Sequence, residues 1–286
     1  MNILNGLSFD VEDWFHVENL KGAISFSEWE YCDLRVVNNT RRILKILDSY
    51  DTKATFFILG WVAERCPSLV KEIAERGHEV ASHGHRHELI YKQTPEEFYE
   101  DIGRSKDILE SITSQPVLGY RAPSFSITPE SDWALNILNA HGFIYDSSVF
   151  PTSFHHRYGY NSNGNSNERF PFRFSNGLVE MPLSTVRLAG KNIPVAGGGY
   201  FRFFPYGWFR YLCRRLNGEG KPLIFYLHPW ELDHEQPRMN IRRDYRFRHY
   251  VNLEKTESRL IKLLEDFKFV PLCDLVEQKF PGTIKA

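Results

Sequence analysis

The chain has 286 residues, and its 35 basic and 36 acidic side chains leave a formal net charge of -1. This length can bury a sizeable core, and the balanced charge argues against the basic surface that nucleic-acid binding requires. The four cysteines are scattered and form no Cys-x-x-Cys pair, which predicts reduced thiols rather than a disulfide framework or a zinc ribbon. Because we see no secretory leader and no run of about 18 apolar residues, we expect a cytoplasmic protein without a spanning helix.

Strands and helices alternate through the first half of the chain. Short apolar runs predict strands at 3–9, 54–59, 79–82, 117–120 and 143–145. Helical spacing or start signals predict the intervening helices, over 35–48 and from Pro67, Thr94 and Thr128. This alternation is typical of parallel βαβ units. Because polar residues follow successive strands, we predict an α/β fold with an incomplete (β/α) barrel, formed by a single domain over residues 1–286.

The second half of the chain is less regular. A long asparagine- and serine-rich surface loop is expected at 153–177. Strands are expected at 178–186, 222–227 and 269–272, and helices over 206–216 and 252–267. The triple glycine at 197–199 fits either a ligand-facing loop or a tight turn. Five arginines lie between Arg238 and Arg248. They predict a solvated loop, with contact to an anionic lipid, a nucleotide or a phosphate-bearing substrate as the alternative.

Two histidines supply the strongest single signal for chemistry. His83 and His87 follow the third predicted strand and are four residues apart, so both imidazoles can reach one divalent ion. A catalytic zinc-type site usually takes a third protein ligand and leaves one position for water. The acidic cluster after the first strand offers Glu12 and Asp13. Strand alternation places Glu12 on the same face as Asp10, whereas a turn would bring in Asp13 instead.

Further polar residues stand at the ends of later strands, namely Arg121, Asp146 and His228. With the acidic cluster and the histidine pair, this ordered set resembles the polysaccharide deacetylases of carbohydrate esterase family 4, the NodB-homology proteins. The family's Thr-Phe-Asp-Asp, His-x-x-x-His, Arg-x-Pro and Leu-x-His motifs stand here as Ser-Phe-Asp-Val-Glu-Asp, His-Gly-His-Arg-His, Arg-Ala-Pro and Leu-His-Pro. The resemblance spans residues 3–230.

A narrower resemblance concerns three segments, Asp-Val-Glu-Asp-Trp-Phe-His near the start, Gly-Gly-Gly-Tyr-Phe-Arg, and His-Pro-Trp-Glu. They look like the deacetylases linked to bacterial exopolysaccharide synthesis. The resemblance therefore implies a role in making an exopolysaccharide.

The family resemblance also implies a distorted (β/α) barrel and dependence on one divalent metal ion. Its ligands would be His83, His87 and one carboxylate. Asp13 is preferred because aspartate is the family's usual ligand type, and Glu12 stays open. Zinc is the expected ion, while cobalt, nickel and manganese also suit two histidines and a carboxylate. Gly84 replaces the small hydroxyl residue that usually follows the first metal histidine, which removes one loop hydrogen bond.

The remaining motif residues can be given roles in amide hydrolysis, which needs an activated water, a polarised carbonyl and a proton for the leaving amine. Asp10 is the expected general base and His228 the expected general acid. Arg121 would orient Asp10, and Asp146 would position Arg121. The backbone N–H of Ser124 would add to an oxyanion site.

The resemblance implies removal of N-acetyl groups from amino sugars. We therefore expect an N-acetylated glycan or a lipid-linked sugar precursor as substrate, with Tyr200 and Trp230 walling a sugar subsite. Peripheral membrane contact and the oligomeric state stay open. Two alternatives also stay open. One is an amide hydrolase of the same barrel that acts on cyclic imides or allantoin-like compounds. The other is a non-catalytic sugar-binding protein, against which the presence of both Asp10 and His228 argues.

Overall fold

The computed structural model describes residues 3–152 and 169–284. The predicted loop at 153–177 therefore lies largely outside the described residues. Among the described residues, none of the helices combines the length and the apolar character needed to cross a membrane.

One sheet of nine strands forms the centre of the protein, and a separate two-stranded hairpin lies beside it. The sheet strands are β1 (Asn5–Val11), β2 (Thr55–Ile58), β3 (Glu79–Ser82), β4 (Gly119–Tyr120), β5 (Tyr145–Asp146), β6 (Phe172–Arg173), β7 (Val179–Glu180), β10 (Ile224–Leu227) and β11 (Phe269–Val270), and the hairpin strands are β8 (Thr185–Leu188) and β9 (Lys191–Pro194). The order is β10-β1-β2-β3-β4-β5-β7-β6, with β11 also paired to β1. All pairs in this sheet are parallel except β6 with β7. Within the described residues no pairing closes β6 onto β10, so the predicted α/β fold with an incomplete barrel is confirmed.

Ten α-helices are found in the described residues. They are α1 (Val36–Ser49), α2 (Gly60–Arg65), α3 (Pro67–Glu75), α4 (Pro95–Thr113), α5 (Trp133–Ala140), α6 (Gly198–Phe203), α7 (Tyr206–Gly218), α8 (Arg243–Tyr250), α9 (Thr256–Asp266) and α10 (Leu272–Lys279). The start predicted at Thr94 is confirmed in detail. The Thr94 side chain accepts the Glu97 N–H, and the Glu97 carboxylate accepts the Thr94 N–H, which satisfies two donors that a helix start leaves unpaired.

The register of the sheet decides where the polar residues meet. Phe9 of β1 pairs with Leu227 of β10, and on the other side Val11 pairs with Ile58, which pairs in turn with Ser82. The parallel strands therefore end at one edge, and the residues that follow them form one layer there. The apolar residues of β1 are fully buried, so this layer rests on a packed core.

The structure corrects part of two expectations for the second half of the chain. The triple glycine is not a ligand-facing loop or a tight turn as a whole, because Gly198 and Gly199 form the first turn of α6, although Gly199 does line the cavity described below. The arginine-rich stretch is solvated as expected, since all five of its arginines are exposed, but residues from Arg243 onward form α8 rather than a loop.

Candidate active site

Three buried side chains at the carboxyl edge of the sheet form a group that could hold a metal ion. Glu12, His83 and His87 each offer one ligand atom, and these atoms lie within 4.8 Å of one another. The Nδ1 atom of His83 is 2.8 Å from the carbonyl oxygen of Arg121, so the ring donates there and turns its other nitrogen toward the group.

The carboxylate of Glu12 fits the same interpretation. Its Oε2 atom is 2.7 Å from Nε2 of His87, yet within the described residues it accepts no well-aligned hydrogen bond. A buried carboxylate oxygen without a donor is costly, and a shared cation would satisfy both this oxygen and the imidazole. The residues therefore fit a divalent ion.

Metal binding requires neutral imidazoles and an ionised carboxylate, and the pKa shifts of Glu12 and His83 favour these states. Burial alone would raise the pKa of Glu12, but the neighbouring His87, His228 and His83 outweigh it and hold this pKa well below its usual range. Burial lowers the pKa of His83 to about 4.

Asp13 does not join this group, so the preference for it as third ligand does not fit the structure. Its carboxylate accepts three backbone N–H groups, from Trp14 at 2.8 Å, Arg35 at 2.6 Å and Val36 at 2.8 Å. The last two are unpaired donors at the start of α1, so Asp13 caps this helix. Burial raises the pKa of Asp13 to about 6, although the three donors favour its ionised form.

Asp10 and Arg121 form a buried ion pair beside the group of Glu12, His83 and His87. Arg121 donates from Nη1 to Oδ1 of Asp10 at 2.6 Å, and both side chains are almost completely buried. The same nitrogen also donates to the hydroxyl of Ser8, and the other two guanidinium nitrogens donate to the carbonyl and the hydroxyl of Ser147. Every guanidinium nitrogen therefore has a protein partner, and the orientation of the Asp10 carboxylate is fixed.

Asp146 does not position Arg121 directly, contrary to the prediction. Its carboxylate accepts the hydroxyl of Ser148 at 2.6 Å, and that hydroxyl accepts the backbone N–H of Ala122 at 2.8 Å. Its second neighbour is the buried Glu180. Burial raises the pKa of both carboxyl groups, and the charge of Asp146 raises the pKa of Glu180 further. Asp146 thus supports the backbone after Arg121, while Ser147 contacts the guanidinium.

His228 lies opposite the ion pair of Asp10 and Arg121 and is held by the carboxylate of Glu231. Its Nε2 atom is 3.4 Å from Oε1 of Glu12 and 3.9 Å from Oδ2 of Asp10. Its Nδ1 atom is 2.7 Å from Oε1 of Glu231. Burial lowers the pKa of His228, but the charges of Glu12, Glu231 and Asp10 outweigh burial and raise this pKa to about 9.

Glu231 is itself fixed from the side of α6. Arg202 donates from Nε to its Oε2 atom at 2.7 Å, and both side chains are buried. A Cβ atom on Gly198 would lie 1.8 Å from the same oxygen. The second glycine of the triple is therefore required because the Glu231 carboxylate occupies the space of a side chain there.

The predicted substrate contacts line a cavity of about 470 Å³ that also contains Asp10, Glu12, His83, His87 and His228. Tyr200 and Ser124 belong to its wall, and the backbone of Ser124 is left-handed, with φ of 52°. Trp230 lines the cavity too, but only 4% of it is exposed. Its indole N–H donates to Oε1 of Glu12 at 3.2 Å, so it holds the Glu12 carboxylate as well as lining the cavity.

Sequence reasoning missed several residues of this site, notably Ser147, Arg202 and Glu231. One signal was available for Glu231, because His-x-x-Glu before a helical turn has the spacing of a capping box. Ser147 follows the fifth strand just as Arg121 follows the fourth. The pairing of Arg202 with Glu231 joins residues that are 29 positions apart, and no local pattern indicates it.

Comparison with protein-family models divides the chain into two matched segments. Residues 27–145 match the polysaccharide deacetylase family, and residues 147–277 match a domain of unknown function, DUF3473. The first segment holds the histidine pair and Arg121, and the second holds Arg202, His228 and Glu231.

Curated relatives are similar to the chain over limited stretches. A peptidoglycan deacetylase-like protein of Gibberella zeae is 34% identical over 110 residues, which cover 38% of this chain and 32% of that protein. The peptidoglycan-N-acetylglucosamine deacetylase of Bacillus cereus is 37% identical over 90 residues, covering 32% of this chain and 30% of that protein. The chain thus matches about a third of the length of these relatives.

Solved structures share the fold over nearly the whole chain. A candidate polysaccharide deacetylase from Mycobacterium smegmatis has a TM-score of 0.60 at 18% identity and covers 97% of this chain and 94% of its own. The Puue allantoinase has the same TM-score at 16% identity, with 96% and 90% covered. A carbohydrate esterase family 4 pseudoenzyme from Bacillus anthracis has a TM-score of 0.51 at 16% identity, with 96% and 66% covered. Residues 27–145 are thus similar to the polysaccharide deacetylase family, and the curated relatives that match this chain share the deacetylase description.

Proposed function

We propose that this protein is a metal-dependent hydrolase that removes N-acetyl groups from an amino sugar in a polysaccharide or a lipid-linked glycan precursor. One observation carries the proposal. A carboxylate fixed by an arginine, Asp10, and an imidazole fixed by a carboxylate, His228, flank a buried group of one glutamate and two histidines in a single cavity. Acid, base and metal ligands are the parts that hydrolysis of an acetamide requires.

The metal ligands in this proposal are Glu12, His83 and His87, and zinc is the proposed ion. When bound, a divalent ion of this kind polarises an amide carbonyl and lowers the pKa of coordinated water. The chain's own contribution is to keep the ligands ready for it. Trp230 holds one oxygen of Glu12, and the Arg121 carbonyl fixes the tautomer of His83.

Asp10 is the proposed general base. Its Oδ1 atom is engaged by Arg121, while its Oδ2 atom faces His228 at 3.9 Å across the cavity. This leaves the second oxygen to take a proton from the attacking water. Arg121 acts as a positioning residue because the protein already uses all three of its guanidinium nitrogens.

His228 is the proposed general acid. Since its raised pKa keeps the ring protonated at neutral pH, Nε2 carries a proton that it can transfer to the departing nitrogen. Glu231 accepts the Nδ1–H and stabilises the imidazolium before proton transfer.

The backbone after Arg121 supports an oxyanion site. Ser124 and Phe125 are both left-handed, with φ of 52° and 55°, which is costly for residues with side chains. Strain of this kind at the wall of a catalytic cavity supports a role for the Ser124 N–H in binding the acetyl oxygen.

The narrower family resemblance supports a second part of the proposal, namely a role in bacterial exopolysaccharide synthesis. Two of the three segments that carry it, Gly-Gly-Gly-Tyr-Phe-Arg and His-Pro-Trp-Glu, are joined in space by the contact between Arg202 and Glu231. A cytoplasmic location and a membrane contact through residues 238–248 also stay predictions.

The test is release of acetate from N-acetylglucosamine oligomers by zinc-loaded protein. We expect turnover by the wild type, its loss in the variants His228→Ala and His83→Ala, and its retention in His234→Ala, which replaces an exposed histidine. Ring opening of a hydantoin without acetate release would favour a cyclic amide hydrolase. Binding of the oligomer without turnover by the metal-loaded wild type would favour a sugar-binding protein.

A further inference from the structure

Two phenylalanines, Phe203 and Phe247 (the phenylalanine pair), line the cavity although more than half of each is exposed to solvent. Phe203 ends α6 and is 56% exposed, and Phe247 lies in α8 and is 55% exposed. Their rings meet edge to face, with centroids 6.1 Å apart and planes inclined by 80°. Single exposed apolar residues are common on protein surfaces, but two that meet where a cavity opens to solvent are typical of a ligand contact.

The helical spacing shows that the side chains of the pair project toward the cavity. Within α6, Tyr200 and Phe203 both line the cavity and are three residues apart, whereas Phe201 between them is fully buried. At the end of α8, Phe247 and Val251 both line it, and the N–H of Val251 donates to the carbonyl oxygen of Phe247. Residues three or four apart project from the same side of a helix. The cavity-facing sides of α6 and α8 therefore carry the two rings.

A buried arginine holds these two helices in place relative to the proposed acid. Arg202 precedes Phe203 in α6, and its Nη atoms donate to three carbonyl oxygens at the end of α8, at 2.7 to 3.1 Å. Its Nε atom donates to Glu231, which in turn holds His228 at 2.7 Å. The phenylalanine pair thus stands at a fixed position with respect to the reacting groups, which is what a substrate-positioning contact requires.

The cavity has a buried reacting end and an exposed aromatic end. Glu12, His83 and His87 are almost completely buried, whereas the phenylalanine pair is more than half exposed. A sugar that brings its acetamide group to the buried end therefore leaves the next sugar of a chain at the exposed end, beside the two rings.

The polarity of the exposed end favours a sugar ring over a lipid chain as the occupant. Glu18 and Asn19 line the same cavity from a short 3-10 turn that packs against α8. The carboxylate of Glu18 is held by Lys21 at 3.2 Å. A sugar ring has an apolar C–H face for an aromatic ring and hydroxyl groups for a carboxylate and an amide. A polyprenyl chain has only the apolar part and would leave these polar groups without partners.

We propose that the phenylalanine pair stacks on the sugar adjacent to the one that loses its acetyl group, so that the protein prefers a glycan of at least two residues to a monosaccharide. The inference rests on the proposed function and names the class of substrate. Both residues lie in the segment 147–277, which matches the domain of unknown function, and outside the segment 27–145 that matches the deacetylase family. The second segment therefore supplies the selection for chain length.

The first test measures acetate release from N-acetylglucosamine and from its tetramer by zinc-loaded protein. We expect a higher kcat/KM for the tetramer in the wild type. Phe203→Ala and Phe247→Ala should each lower the ratio of the two kcat/KM values by about three- to tenfold, which is the worth of one aromatic contact. Tyr99→Ala is the matched control and should keep the wild-type ratio, because Tyr99 is 53% exposed but lies on α4, away from the cavity lining.

The second test requires no turnover. Calorimetric titration of the chelated proteins should show tighter binding of the tetramer than of the monosaccharide, and the alanine variants should lose most of this difference. Phe203→Tyr and Phe247→Tyr keep the ring faces and should bind the tetramer within about twofold of wild type. These variants separate loss of the ring from loss of folding, which a lower Tm would reveal. Equal affinity of the wild type for tetramer and monosaccharide would overturn the inference.

The outcomes distinguish the inference from the proposed function. If the wild type releases acetate but the alanine variants keep its preference for the tetramer, the inference fails and the deacetylase assignment stands. If the wild type releases no acetate, the proposed function fails, and the titration still decides whether the pair binds a second sugar. If a polyprenyl-linked monosaccharide loses affinity in both alanine variants while the tetramer does not, the pair binds a lipid chain and the inference is overturned.

Discussion

The neighbouring carboxylates Glu12 and Asp13 should respond to substitution in opposite ways. Asp13 accepts three buried backbone N–H groups, two of them at the start of α1. Asp13→Ala leaves all three without a partner. With about 1 kcal/mol lost for each such donor, we expect the free energy of unfolding of the metal-free protein to fall by about 3 kcal/mol. Asp33→Ala is the control, since the side chain of Asp33 is 77% exposed, and it should change this free energy by less than about 0.5 kcal/mol.

Glu12→Gln should leave the stability of the metal-free protein nearly unchanged but weaken zinc binding. The amide oxygen can still accept the indole N–H of Trp230, while the charge and the oxygen that faces His87 are lost. Stability without metal should change by less than about 1 kcal/mol. Zinc affinity should fall by more than 100-fold, because loss of an outer-shell partner alone costs about 10- to 100-fold.

The assay combines urea unfolding of the chelated proteins with zinc titration of the folded ones. The reasoning is refuted if Asp13→Ala retains its stability and loses zinc, or if Glu12→Gln binds zinc like the wild type.

Two further predictions concern the buried carboxyl pair of Asp146 and Glu180, and Glu231, which contacts the proposed acid His228. Because the pKa values of Asp146 and Glu180 are raised, the folded state binds more protons than the unfolded chain. Stability should therefore fall as the pH rises from about 4. Glu180→Gln should flatten this dependence in unfolding curves between pH 4 and 8. A dependence as steep in the variant as in the wild type would contradict the raised pKa of Glu180. Glu231→Gln should lower kcat by about tenfold or more with zinc content unchanged, since it removes the charge that stabilises the His228 imidazolium; Gly198→Ala, whose Cβ would meet that carboxylate, should lower kcat in the same direction. Normal turnover in both variants would exclude Glu231 from the mechanism.

The sequence predicted the frame of the site because its determinants are local. Apolar runs followed by polar residues place Asp10, His83, Arg121 and His228 at strand ends, and the sheet register brings these ends together. The capping box at Thr94 is likewise a short pattern with a single structural outcome.

The remainder depends on contacts that no local pattern carries. Whether Glu12 or Asp13 faces the histidines is decided by α1, whose unpaired N–H groups attract Asp13. Asp146 stands at a strand end as predicted, but a buried neighbour from β7, Glu180, and the adjacent Ser147 determine what it contacts. The role of the triple glycine becomes visible only when the carboxylate of Glu231 is seen in the space of a side chain at Gly198.

The central claim is most directly tested by measuring the metal content of the purified protein together with acetate release from N-acetylglucosamine oligomers, before and after chelation. The account predicts close to one zinc ion per chain, acetate release that stops on chelation, and recovery when zinc is returned. It is contradicted if acetate release is undiminished in fully metal-free protein, or if protein that holds one zinc ion at Glu12, His83 and His87 releases acetate from none of the N-acetylated sugars.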